Sequence, residues 1–127
     1  MEKQENDFLW CEDIDAAVTV CDADGIVVYM NKLSRETFNK NGESMVGRSM
    51  IPCHNERSRA IINDMLANDV PHCYTITKKG RKKMIYQTPW RVDGQVKGLV
   101  EISFVFPAKY RTMTEMLRIK RRVSRTS

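Results

Sequence analysis

No apolar run in this chain approaches the roughly 20 residues needed to cross a bilayer as a helix. The first stretch, MEKQENDFLWCEDID, is acidic and lacks the basic n-region and apolar h-region of a secretory signal. A cytoplasmic chain is therefore expected. No Cys-x-x-Cys spacing is present. The four cysteines, Cys11, Cys21, Cys53 and Cys73, are too few and too scattered for a disulfide scaffold, and are expected as thiols. The usual catalytic signatures are missing as well: there is no G-x-S-x-G, no P-loop and no H-E-x-x-H. No enzyme is expected.

What is present suits one folded domain. The 127 residues fit the usual domain size, and 42% hydrophobic residues are too many for a disordered chain. The formal charge of +5 is unevenly spread. Residues 1–30 sum to −7, residues 1–107 to −1, and residues 108–127 to +6. A near-neutral body, acidic at its start, thus carries a basic tail.

Hydrophobic periodicity gives the elements. Residues 2–13 look helical, with Phe8, Leu9 and Trp10 following a polar stretch. Residues 16–22 and 26–31 read as strands around an Asp24-Gly25 turn. Ser34 is placed as the cap of a short helix through Phe38, and Asn55 as the cap of a helix over 56–68. In the latter, Ile61, Ile62, Met65 and Leu66 share a face. Strands follow at 73–78, 82–92 and 96–106, joined at Lys79-Gly80 and Asp93-Gly94. Pro107 stops the last strand, and residues 108–123 read as a helix. Short hairpins make the sheet antiparallel. The expected fold is α+β: a five-stranded antiparallel sheet with a helical insert between strands 2 and 3 and flanking N- and C-terminal helices. Its parts are a cap over 1–13, a core over 14–107 and a basic helix or tail over 108–127.

This layout resembles a PAS domain. The resemblance is carried by Val18-Thr-Val-Cys-Asp-Ala-Asp-Gly-Ile-Val-Val-Tyr-Met-Asn31, by Val46-Gly47-Arg48, and by Trp90-Arg-Val-Asp-Gly-Gln-Val-Lys-Gly-Leu-Val-Glu-Ile-Ser103. The run from Gly47 to Ile62, with Cys53-His54 inside it, is similar to the PAS-type domain found after DUF438 and hemerythrin-like regions. Where that family has Cys-His-Pro-Pro, this chain has Cys53-His54-Asn55-Glu56. The resemblance implies a sensory or dimerisation module. Its pocket lies between sheet and insert, some members hold haem, flavin or a metabolite there, and signals leave through flanking helices.

Candidate site residues follow from side-chain chemistry. His54 can ligate haem iron, as can a Cys53 thiolate. In the alternative reading His54 bonds a backbone carbonyl and Cys53 is a small buried hydrophobe. A second pair, His72-Cys73, raises the option of a four-ligand zinc site, against which stands the adjacency of the ligands within each pair. Tyr29, Asn31, Met65, Met84, Tyr86 and Trp90 are candidates to line the pocket, with Thr88 and Met30 beside them. Asn31 has a structural alternative, tying strand to insert. The aromatics have another, as core or dimer surface. Lys78-Lys79-Gly80-Arg81-Lys82-Lys83 reads as a solvated turn or a phosphate contact. Nucleic acid and membrane are not expected partners. A homodimer and a separate or excised output domain are. The alternative to a haem-binding sensor is a ligand-free adaptor that dimerises through Phe8, Trp10 and the exposed sheet face; a third and lesser reading is a small nucleic-acid-binding regulator using the hairpin bases and the basic tail.

Overall fold

Tight turns decide the topology of the computed structural model, which describes residues 9–38, 45–49 and 56–126. Strand β1 (Ala17–Asp22) turns into β2 (Val27–Met30). The carboxylate of Asp22 holds that turn, accepting from the backbone N–H groups of Asp24 at 2.9 Å and Ile26 at 3.0 Å. Strands β3 (His72–Lys78) and β4 (Arg81–Val92) meet at Lys79 and Gly80, and β4 meets β5 (Gln95–Val105) at Asp93 and Gly94. Both residues of each turn have positive φ, between 50° and 78°, the twist that suits a two-residue hairpin. The strands form one antiparallel sheet in the order β2-β1-β5-β4-β3. The expected five strands are found, each boundary within a residue of its predicted place.

Among the described residues four helices accompany the sheet: α1 (Leu9–Glu12), α2 (Lys32–Phe38), α3 (Glu56–Asn68) and α4 (Met113–Thr126). Two starts differ from expectation. Asn31, not Ser34, caps α2, with its Oδ1 accepting from the Ser34 N–H at 3.0 Å. Ser34 is buried, and its hydroxyl lies 2.5 Å from that of Thr19 on β1. The last helix begins at 113 rather than 108, where Thr112 is the N-cap: its hydroxyl accepts from the Glu115 N–H at 3.2 Å and lies 3.3 Å from the Glu115 carboxylate. Before it, the rings of Phe106 and Tyr110 stack 5.0 Å apart. Asn55 lies outside the described residues.

Strand register sorts the side chains into two faces. On the inner face, α3 sets Ile62 and Met65 on Cys21, Val27, Met30 and Leu99, all buried. Burial pushes the Cys21 thiol up to about 11. One row along, Thr19, Glu101, Gln87 and His72 lie side by side across four strands. The next row is Ala17, Ser103, Ile85 and Tyr74. The outer face is the more apolar one, carrying Val18, Val100, Ile102 and Phe104 with Met84, Tyr86 and Trp90.

A bulge at Trp90 adds a residue to β5. From there the indole donates to the Cys21 carbonyl two strands away, at 2.9 Å. It passes over Gly98, where a Cβ would lie 2.6 Å from Nε1 and 1.9 Å from the Cys21 oxygen. Only glycine fits.

Candidate functional site

A row of polar side chains on a buried sheet face needs partners. Gln87 is 3% exposed. Its Nε2 donates to Glu101 Oε1 at 2.9 Å and approaches the Tyr74 hydroxyl at 3.4 Å. That consumes the amide's donors and leaves its acceptor. Gln87 Oε1 and the hydroxyl of Ser103 are buried with no hydrogen-bond partner among the described residues. Tyr74 is held above its ordinary pKa by burial first, and then by the Glu101 charge. At the sheet edge, His72 Nε2 lies 3.3 Å from Asp64 of α3.

A cavity of about 300 Å³ opens on this face beyond Ser103, between α2 and the β3–β4 hairpin. It sits at the small end of the range for small-molecule sites. Ala17, Leu33 and Val105 give it apolar walls, and Lys78, Lys79, Arg81 and Lys83 surround it.

The structure distributes the sequence candidates widely. Met65 lies between sheet and insert, in the core beside Leu99. Asn31 is wholly buried at the β2–α2 junction. Its Oδ1 also accepts from Val18 N–H at 2.9 Å, and its Nδ2 donates to the carbonyls of Cys11 at 2.9 Å and Ala16 at 2.8 Å. Each hydrogen bond goes to the protein itself. Met84, Tyr86 and Trp90 are a correction: with Thr88 they fall on the outer face, opposite the insert. Strand alternation is the cause, because Ile85 and Gln87 take the inner positions.

Tyr29 also belongs elsewhere. Its hydroxyl donates to Glu12 Oε2 at 2.6 Å, fastening α1, and Arg35 closes the group through Glu12 Oε1. The carboxyl of Glu12 is held below its usual value by the Arg35 bond first and the Tyr29 bond second. Burial and then the Glu12 bond push the Tyr29 phenol upward.

His54 and Cys53 lie outside the described residues. Among those that are described, no group of three His, Cys, Asp or Glu side chains can hold a metal. No described helix is long and apolar enough to cross a membrane. Sequence reasoning missed Gln87, Glu101 and Ser103. Their signal is present, as polar residues at every second position of strands whose other positions are apolar.

The sheet order and the insert on one face define an α+β module, and the comparisons name its family. The PAS fold family matches residues 11–105, and the chain belongs to it. Among solved structures, the PAS domain of histidine kinase ThkA is 20% identical, with a TM-score of 0.60 over 72% of this chain and 99% of that one. A sensory box sensor histidine kinase from Vibrio cholerae is 13% identical, with a TM-score of 0.60 over 78% of this chain and 88% of its own. The Aer2 receptor from Vibrio cholerae, described as a dual PAS-heme oxygen sensor, is 17% identical, with a TM-score of 0.56 over 72% and 95%. At these identities the likeness is one of fold. No curated protein matches.

Proposed function

We propose that the chain is a non-catalytic sensory module that takes up a small molecule between the inner sheet face and the helical insert. It acts as a homodimer and passes a change of packing through its flanking helices to a separate output partner. One observation carries this reading: Gln87 Oε1 and the Ser103 hydroxyl are buried and have no partner among the described residues. Each such group costs about 1–3 kcal/mol when left alone, and a bound molecule would recover that. Similar structures from histidine-kinase sensors support the signalling part. Native mass spectrometry of the purified chain tests it. The expected result is extra mass that denaturation removes and Gln87→Leu abolishes. The bare chain mass, together with a Gln87→Leu variant of raised stability, would sink it.

For the dimer, Tyr86 and Trp10 supply support, being 39% and 75% exposed on apolar surface. Sedimentation should give a dimer at micromolar concentration that Trp10→Ala weakens; a monomer for the unaltered chain counts against it.

Haem is the narrower reading, supported by the description of Aer2 and by His54 in the stretch similar to the Cys-His family. The cavity beside Ser103 is not its place, since no His, Cys or Met lines it. A haem titration decides: a Soret shift lost in His54→Ala favours haem, and no shift removes it.

A further inference from the structure

Five bases in six residues, Lys78, Lys79, Arg81, Lys82 and Lys83, would ordinarily be a solvated turn. The hairpin geometry gives them a direction. Lys78 pairs with Arg81 across the turn, and alternation puts Lys83 on the same face as Arg81, the inner one. Lys82 goes the other way, its ammonium 5.6 Å from the centre of the Phe106 ring. Lys83 leans inward over Phe38, 5.4 Å from that ring's centre.

Lys78, Lys79, Arg81 and Lys83 therefore edge the cavity described above, with no Asp or Glu among its lining residues. None of the four is in an ion pair among the described residues. Half-buried Leu33 and exposed Val105 give the cavity apolar surface. Ser103, 1% exposed, lines the same space, and its hydroxyl has no partner among the described residues. Ser103 and Val105 are two residues apart on β5, about 7 Å along the strand. Val105 is the register partner of Lys83, so an extended lysine side chain covers that distance. An apolar wall, a cationic edge and one buried hydroxyl donor make a single chemical request.

We propose that this cavity binds an amphipathic organic anion: a carboxylate on a short apolar body. The carboxylate lies between the lysine ammoniums and the Ser103 hydroxyl, which donates to one of its oxygens. The body lies on Leu33 and Val105. This inference rests on the sensory reading above and names its ligand class. A bare anion gains nothing from the apolar walls, and an uncharged body leaves four like charges crowded and unneutralised.

Octanoate is the probe, followed by amide NMR of the full chain. Octanoate should shift the amides of Leu33, Thr37, Ser103 and Val105, saturating at about 0.1–1 mM. Octanol, which lacks the charge, and inorganic phosphate, which lacks the body, should each bind about tenfold more weakly or worse. Arg81→Gln with Lys83→Gln should cost octanoate about tenfold and Ser103→Ala several-fold, with Lys82→Gln neutral. Added salt should weaken octanoate and leave octanol unaffected. Equal binding of octanol and octanoate, equal effects of Lys82→Gln and Lys83→Gln, or shifts confined to other residues would overturn the proposal. If octanoate does not bind while the purified chain retains another molecule that Gln87→Leu releases, this inference falls and the sensory reading stands. If nothing is retained, Gln87→Leu is more stable than the unaltered chain and octanoate does not bind, both fall.

Discussion

Asn31 uses its whole side chain at one junction. Its carbonyl oxygen takes two backbone N–H groups, from β1 and α2, and its amide gives to two carbonyls on the approach from α1. Asn31→Ala leaves those four backbone groups short of partners in a fully buried place. The expected loss is about 3 kcal/mol, read as a lower urea midpoint with unchanged slope. Gly98 is a second single-residue constraint. Its strand φ is ordinary, so the constraint is space, not backbone freedom. Gly98→Ala should cost about 2–3 kcal/mol or prevent folding, because the nearest obstruction is backbone oxygen and cannot swing away. At Gly80 the case is reversed: nothing lies within 4 Å, and φ is +74°. Gly80→Ala should cost only about 1 kcal/mol, from the left-handed backbone. Thermal melts of the two variants side by side check both.

At the scale of elements, the described turn of α1, Leu9–Glu12, is fastened by side chains. Glu12 takes the Tyr29 hydroxyl and the Arg35 guanidinium, while Arg35 Nη1 also donates to the Met30 carbonyl at 2.7 Å. The Glu12 carboxyl titrates below its unfolded value. Its stabilising effect is therefore fully present above that unfolded value, about pH 4.3, and is lost as pH falls through the folded one. Glu12→Gln should be less stable than the unaltered chain at pH 7, with the two denaturation midpoints converging below about pH 4. Equal midpoints at both pH values would remove Glu12 from the fastening.

Elements were also what the sequence disclosed best. The Asp24-Gly25, Lys79-Gly80 and Asp93-Gly94 turns are local chemistry, and they located the hairpins. Capping was half legible: Ser34 competes on paper with Asn31, and only the tertiary contact with Thr19 assigns Ser34 a buried place. The faces of the sheet were not legible. Alternation in β4 and β5 separates Met84, Tyr86 and Trp90 from Ile85 and Gln87, but it says nothing about which set meets the insert. Apolarity pointed to the first set, and the insert covers the second. That inversion hid the row of Gln87, Glu101 and Ser103.

Over the whole molecule, α4 stands apart from the sheet. Every described side chain on it is exposed, with Met113, Met116 and Leu117 on one side and Arg118, Arg121 and Arg122 on the other. Ending the chain at residue 112 should therefore leave the melting temperature within about 2–3 °C, the range of ordinary surface changes. A larger drop would mean that α4 supports the core.

The strand order has a mechanical consequence. β1 opens the sheet in sequence and β5 closes it, yet they are neighbours, with Ala17 beside Ser103. The chain thus enters and leaves the sheet at adjoining points of the same end. Any slip between these two central strands displaces the incoming and outgoing segments in opposite senses, as the two blades of a pair of shears move about one pivot. Ser103 faces the cavity near that pivot, so a molecule seated there bears on the relative position of both flanks at once.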